Sequence, residues 1–101
     1  MRVYHATTKE RAEAISKEGF KNHAGYYGTT KLFKGVWISN VILDVQVLRG
    51  EKNIIFVLDI PEKIISYYEW IEKDKPYREF LVPAKILNRY LEKAKIQECD
   101  W

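Results

Sequence analysis

Residues 3–19, VYHATTKERAEAISKEG, decide how the chain begins to fold. Residues 3–5 suit a short opening strand. Thr7 to Glu10 then match a capping box, in which the threonine hydroxyl accepts from the backbone N–H three residues on and the glutamate reaches back. The apolar residues that follow recur with helical spacing. We therefore predict a strand, then a capped helix over 11–18 that ends at Gly19, where glycine suits a positive φ.

The rest of the chain predicts several strands with short helices between them. The continuous apolar run Ile54–Leu58 is typical of a central strand buried on both faces. Further predicted segments are strands over 35–39, 78–82 and 93–97, short helices over 61–70 and 84–90, and a Gly- and Tyr-rich loop over 21–34. Residues 41–48 fit both a helix and an alternating strand, and we favour the helix. Strands that follow one early helix predict a single α+β domain over residues 1–101.

Composition agrees with one compact intracellular domain. The chain has 101 residues, 47% of them hydrophobic and 31% charged, which is enough to form one core. Its net charge of +3 permits an anionic partner without requiring one. Its abundance of Lys, Glu and Ile is typical of heat-adapted organisms. No apolar stretch is long enough to span a bilayer, and the N-terminus lacks the apolar run of a signal peptide. We expect a cytoplasmic protein with no membrane partner.

The few metal-binding residue types predict no metal site. Cys99 is the one cysteine, so an internal disulfide is excluded, and an idle thiol is the simplest expectation for it. His5 and His23 are far apart in sequence and lack ligand spacing. His23 lies in the polar loop, where we expect a surface residue.

Three short stretches hold residues that can support chemistry. His5 lies where a strand meets a helix N-terminus, whose amides attract anions; a strand histidine bonded to a carbonyl is the simpler alternative. Trp37 and Ser39 share one face of a predicted strand, which suits either a flat polar ligand or the rim of a core. Tyr27 is either a stacking residue or a packed loop tyrosine. Glu79 lies in a largely apolar strand. A carboxylate there needs an ion-pair or hydrogen-bond partner or a functional role, unless it lies at an exposed strand start.

These stretches together resemble the ADP-ribosyltransferase superfamily of the poly(ADP-ribose) polymerase and diphtheria-toxin type. Residues 4–8, YHATT, resemble its His-Gly-Ser/Thr opening. Residues 34–40, KGVWISN, are similar to its Gly-Ile-Tyr-Phe-Ala-Asp segment. Residues 78–83, REFLVP, resemble the late strand that bears its glutamate. Ala6 stands where the family usually has glycine, and 41–48 contain no aromatic counterpart of the family's following tyrosine.

The resemblance implies a fold, a substrate and residue roles. The fold is a split, antiparallel-rich β-sheet with an N-terminal helix and short additional helices, and NAD is the substrate. His5 and Glu79 are then the catalytic residues: His5 bonds the NAD ribose, and Glu79 stabilises the positive charge that builds as nicotinamide leaves. The implied NAD-binding residues are Ala6, Thr7, Tyr27, Trp37 and Ser39. The acceptor of ADP-ribose is a protein or a nucleic acid, RNA included.

Two other functions stay open at this stage. One is a non-catalytic module that binds a nucleotide or RNA through basic residues and the loop tyrosines. The other is a toxin-like interaction protein that binds a protein partner through its tyrosines and Trp70.

Overall fold

The computed structural model describes residues 1–42 and 54–98, which form seven strands and three helices. The predicted α+β class is confirmed. In chain order the elements are β1 (Arg2–Thr7), α1 (Lys9–Glu18), β2 (His23–Gly25), β3 (Phe33–Ser39), β4 (Ile54–Asp59), α2 (Glu62–Ile65), a 3₁₀ turn (Ser66–Tyr68), β5 (Glu69–Trp70), β6 (Glu79–Val82), α3 (Ala84–Asn88), a second 3₁₀ turn (Leu91–Lys93) and β7 (Lys95–Glu98). None of the described helices is long and apolar enough to cross a membrane.

The strands form one antiparallel sheet that opens in its middle. Their order is β5-β6-β3-β1-β4-β7, and β2 pairs with the start of β3. β1 pairs with β4 along its whole length, from Arg2 to Thr7. It pairs with β3 only where Tyr4 faces Ser39. Beyond that pair β1 and β3 no longer share a ladder, so the sheet is split between them.

One face of the sheet carries the core. Strand residues alternate between faces, and the buried set includes Val36 and Ile38 of β3 and Phe80 and Val82 of β6. The short helices pack on this face through small and apolar residues such as Leu87 of α3. β4 is buried on both faces, as predicted: successive residues Ile55 and Phe56 are both 0% exposed.

The opening strand and helix form as predicted, with a different cap. The hydroxyl of Thr8, not of Thr7, accepts the hydrogen bond from Arg11 N at 3.2 Å. Thr7 is the last residue of β1 and is buried, because its side chain points to the core face. Gly19 has φ +85° and ψ 174°, a conformation open almost only to glycine.

Two further segments differ from the sequence prediction. The loop expected over 21–34 contains β2, whose pairing with β3 is a long-range contact that local residue preferences do not reveal. The helix predicted over 61–70 ends early, and Glu69–Trp70 join the sheet edge beside β6. The predicted helix over 41–48 lies outside the described residues from residue 43 onward, as does Cys99.

Candidate functional site

A cleft of about 400 Å³ lies at the split in the sheet. Its walls come from the end of β1, one side of α1, the segment after α1, β2 and the middle of β3. The predicted site residues His5, Ala6, Thr7 and Trp37 all line it. The cleft exists because β1 turns away from β3 after their single paired position. Its volume is in the range of small-molecule sites.

His5 is held at the split by a main-chain hydrogen bond. Its Nδ1 lies 2.9 Å from the carbonyl oxygen of Trp37. A carbonyl only accepts, so Nδ1 is the donor in this hydrogen bond. The ring also meets Phe20 edge-on, with 5.3 Å between the ring centroids. This position fits both interpretations of His5 made from the sequence: a strand histidine bonded to a carbonyl, and a ligand-binding histidine near a helix N-terminus.

The segment after α1 forms one wall of the cleft through a buried aromatic residue. Phe20 is 4% exposed and packs between His5 and Phe56, whose ring centroid is 5.5 Å away. Its backbone is bound at both polar groups by Asn88 of α3: Oδ1 accepts from Phe20 N at 2.7 Å, and Nδ2 donates to Phe20 O at 3.1 Å. The position of Phe20 therefore depends on a residue 68 positions away.

Cationic side chains line the mouth of the cleft. Arg11 of α1 and Lys21 are exposed and belong to its lining, as does His23 of β2. Lys21 Nζ is 3.0 Å from a carboxylate oxygen of Glu18, which is itself part of the lining. Arg11 forms no side-chain ion pair with any described residue. His23 is exposed, as the sequence predicts. Its place at the cleft follows from the pairing of β2 with β3, which has no local signal in the sequence.

The predicted ring-stacking residues form an aromatic cluster on the other face of the sheet. Alternation places the Trp37 side chain opposite the core residues Val36 and Ile38. Its ring centroid is 5.0 Å from that of Tyr27 and 5.3 Å from that of Trp70, both edge-on. Tyr27 adopts φ 49°, and its ring covers Gly25, where a Cβ would come within 2.8 Å of it. Tyr27 thus contacts other rings and is still 36% exposed, and no signal in the sequence indicates that Trp70 is its neighbour.

Ser39 and Glu79 face each other across β3 and β6 but do not belong to the cleft lining. They lie at the end of the sheet where β1 and β3 are still paired. Ser39 is 6% exposed, and its hydroxyl donates to the carbonyl of Val41. Glu79 Oε1 is 3.0 Å from Lys75 Nζ. The structure therefore does not bring Glu79 and Ser39 to the cleft that holds His5.

Charges around β6 are compensated in a local network. Arg78 donates to Glu69 at 2.6 Å and to Glu62 at 2.9 Å. These hydrogen bonds raise the pKa of Arg78, and the bond from Arg78 lowers the pKa of Glu69. Burial, together with Glu79, raises the pKa of Tyr77. The network ties α2 and β5 to the start of β6, which is a structural role.

The described residues contain no group of three or more His, Cys, Asp or Glu side chains arranged to hold a metal ion. Comparison of the chain with protein-family models, curated proteins and solved structures finds no match. The geometry and chemistry of the cleft are therefore the basis for a functional proposal.

Proposed function

We propose that the chain binds an NAD-type dinucleotide in the cleft between β1 and β3 and transfers ADP-ribose from it to a protein or nucleic-acid acceptor. The observation that carries the proposal is the gathering of His5, Ala6, Thr7 and Trp37 around one cleft. Trp37 lies 30 or more positions after the other three residues, and the two stretches, 4–8 and 34–40, resemble segments that bind NAD in ADP-ribosyltransferases.

The chemistry of the lining suits half of a dinucleotide. Arg11 and Lys21 supply positive charge at the mouth, and guanidinium groups bind phosphate oxygens in pairs. His5 supplies a ring nitrogen for a ribose hydroxyl. Phe20 and Val36 supply apolar surface for a flat base. A volume of about 400 Å³ accommodates a mononucleotide-sized portion, so the second half of the dinucleotide would extend into solvent.

Glu79 is the proposed catalytic carboxylate. In the transfer step the bond between C1′ of the ribose and the nicotinamide nitrogen breaks, and its electron pair leaves with nicotinamide. The acceptor then bonds to C1′ and loses its proton. A carboxylate stabilises the positive charge on the sugar between these events. Glu79 lies outside the cleft and is paired with Lys75, so the transfer step further requires a rearrangement that brings this carboxylate to the substrate.

Calorimetric titration of NAD tests the binding half of the proposal. Arg11→Ala removes one cation from the cleft without touching the core, and Lys9→Ala removes one exposed cation from the same helix outside the lining. A charge-assisted hydrogen bond contributes about 1.5–3 kcal/mol, so Arg11→Ala should weaken NAD binding by about 10-fold or more. Lys9→Ala should leave it unchanged. No saturation at millimolar NAD, or equal effects of the two variants, would refute the proposed site.

Release of nicotinamide tests the catalytic half separately. Glu79→Gln should lower the rate by about 10²–10³, the usual effect of losing one electrostatic group, while NAD affinity stays within a few-fold. Glu72→Gln is the matched control, because Glu72 also approaches Lys75, at 3.9 Å, and is more exposed. If the protein binds NAD but releases no nicotinamide, the transferase proposal is refuted and only nucleotide binding stands.

A further inference from the structure

A second and larger cavity, of about 670 Å³, lies at the far end of the sheet from the cleft. It forms where the start of β1 and the end of β4 meet the start of β7 and the segment that follows α3. Its lining shares no residue with the cleft around His5. Any ligand it binds would therefore be independent of the proposed NAD site.

The cavity concentrates the positive charge of the chain. Its charged side chains are four cations and one carboxylate: Arg2, Arg89, Lys93, Lys95 and Asp59. The excess of three positive charges in the lining equals the net charge of +3 of the whole chain. The remaining residues of the chain therefore carry no net charge.

The four cations have no carboxylate partner within the described part of the chain. Arg2, Arg89, Lys93 and Lys95 are all exposed, and none forms an ion pair there. The one carboxylate of the lining, Asp59, lies 3.3 Å from the main-chain nitrogen of Met1. By contrast, Lys75 and Arg78 each contact two carboxylates. Like charges gathered without counter-charges repel each other, so an anionic ligand would stabilise this arrangement.

An aromatic ring lies among these cations. Tyr90 follows α3, is half-buried against the core and belongs to the cavity lining. Cations that track a backbone, combined with a ring on which a base can stack, are the two elements of single-strand recognition. The concave shape suits a flexible chain that enters the cavity, whereas a bilayer surface meets a protein through its protruding parts.

We propose that this basic cavity, formed around Arg89 and Lys93, binds single-stranded nucleic acid, with phosphates on the four cations and a base on Tyr90. Four phosphate contacts on a single strand predict a slope of about −2.8 for the logarithm of affinity against the logarithm of salt concentration. Affinity should then fall about 50-fold between 50 and 200 mM salt.

Fluorescence anisotropy with a labelled 12-nucleotide oligouridylate tests the proposal on the intact chain. The double variant Arg89→Gln/Lys93→Gln should bind more weakly at 50 mM salt, and with two contacts left its affinity should fall only about 7-fold between 50 and 200 mM. The control Lys9→Gln/Lys73→Gln makes the same change in net charge at exposed residues outside the cavity. It should keep the wild-type slope.

Tyr90→Leu separates stacking from charge, because leucine preserves apolar packing but offers no ring. Loss of one stacked base costs about 1–3 kcal/mol, so affinity should fall by roughly 5- to 150-fold at both salt concentrations with the slope unchanged. Absence of binding at 50 mM salt, equal losses in the two double variants, or binding to phosphatidylserine vesicles in place of the oligonucleotide would each overturn the proposal. Arg11→Ala should leave the oligonucleotide affinity intact.

Discussion

Asn88 offers a direct test of how the wall of the cleft is held. Its amide bonds both the N–H and the carbonyl of Phe20, at 2.7 and 3.1 Å. Because Phe20 is 4% exposed, water replaces these bonds poorly when the amide is removed. We therefore expect Asn88→Ala to destabilise the fold and to loosen the contact between Phe20 and His5.

The size of the effect follows from the two bonds. Each contributes about 1 kcal/mol net, so their loss costs about 2 kcal/mol. Asn88 is the last residue of α3, and alanine's better helix propensity returns about 0.5 kcal/mol. The net loss of about 1.5 kcal/mol should lower Tm by roughly 6–12 °C in a domain of this length.

Thermal unfolding followed by circular dichroism measures this shift, and hydrogen exchange reports the Phe20 amide directly. Lys85→Ala is the matched control, because Lys85 is an exposed residue of the same helix. We expect no loss of stability in the control. A change below 0.5 kcal/mol in Asn88→Ala, with the Phe20 amide still protected, would refute the role assigned to this side chain.

Three further outcomes are expected. Gly19→Ala should cost about 1–3 kcal/mol in chemical denaturation, because φ +85° with ψ 174° is strained for any side chain; Cβ would also meet the Asn88 amide at 2.9 Å. Glu69→Gln should cost about 1 kcal/mol at pH 7. Arg78 lowers the pKa of Glu69 in the folded state, so this stabilisation is fully present above the unfolded-state pKa of Glu69. The difference in stability between wild type and variant should vanish as the pH falls through the folded-state pKa of Glu69. Glu79→Gln should lower the pKa of Tyr77 toward the ordinary tyrosine value of 10.0 in a carbon-13 NMR titration, without reaching it, because burial and Glu72 still raise it.

Local sequence patterns predicted the opening strand, the first helix and the central buried strand. Residues 54–58 predicted a strand buried on both faces, and β4 is one. The glycine at position 19 predicted the end of α1. Such features depend on neighbours a few positions apart, so the alternation and capping rules apply to them directly. These rules did not determine which residue is the N-cap of α1. Thr7 and Thr8 both offer a hydroxyl, and only the direction of β1 selects Thr8.

Only the tertiary structure shows which of the predicted site residues lie close together. The sequence placed His5, Trp37 and Glu79 in strands, but not which strands are neighbours or where the sheet opens. The cleft opens beyond the single paired position of β1 and β3, and the pairing of β3 with β6 places Glu79 opposite Ser39, outside that cleft. The basic cavity likewise gathers Arg2 with Arg89 and Lys95, from opposite ends of the chain. Strand register and helix docking are set by long-range packing, and a pattern confined to a few successive residues carries no information about them.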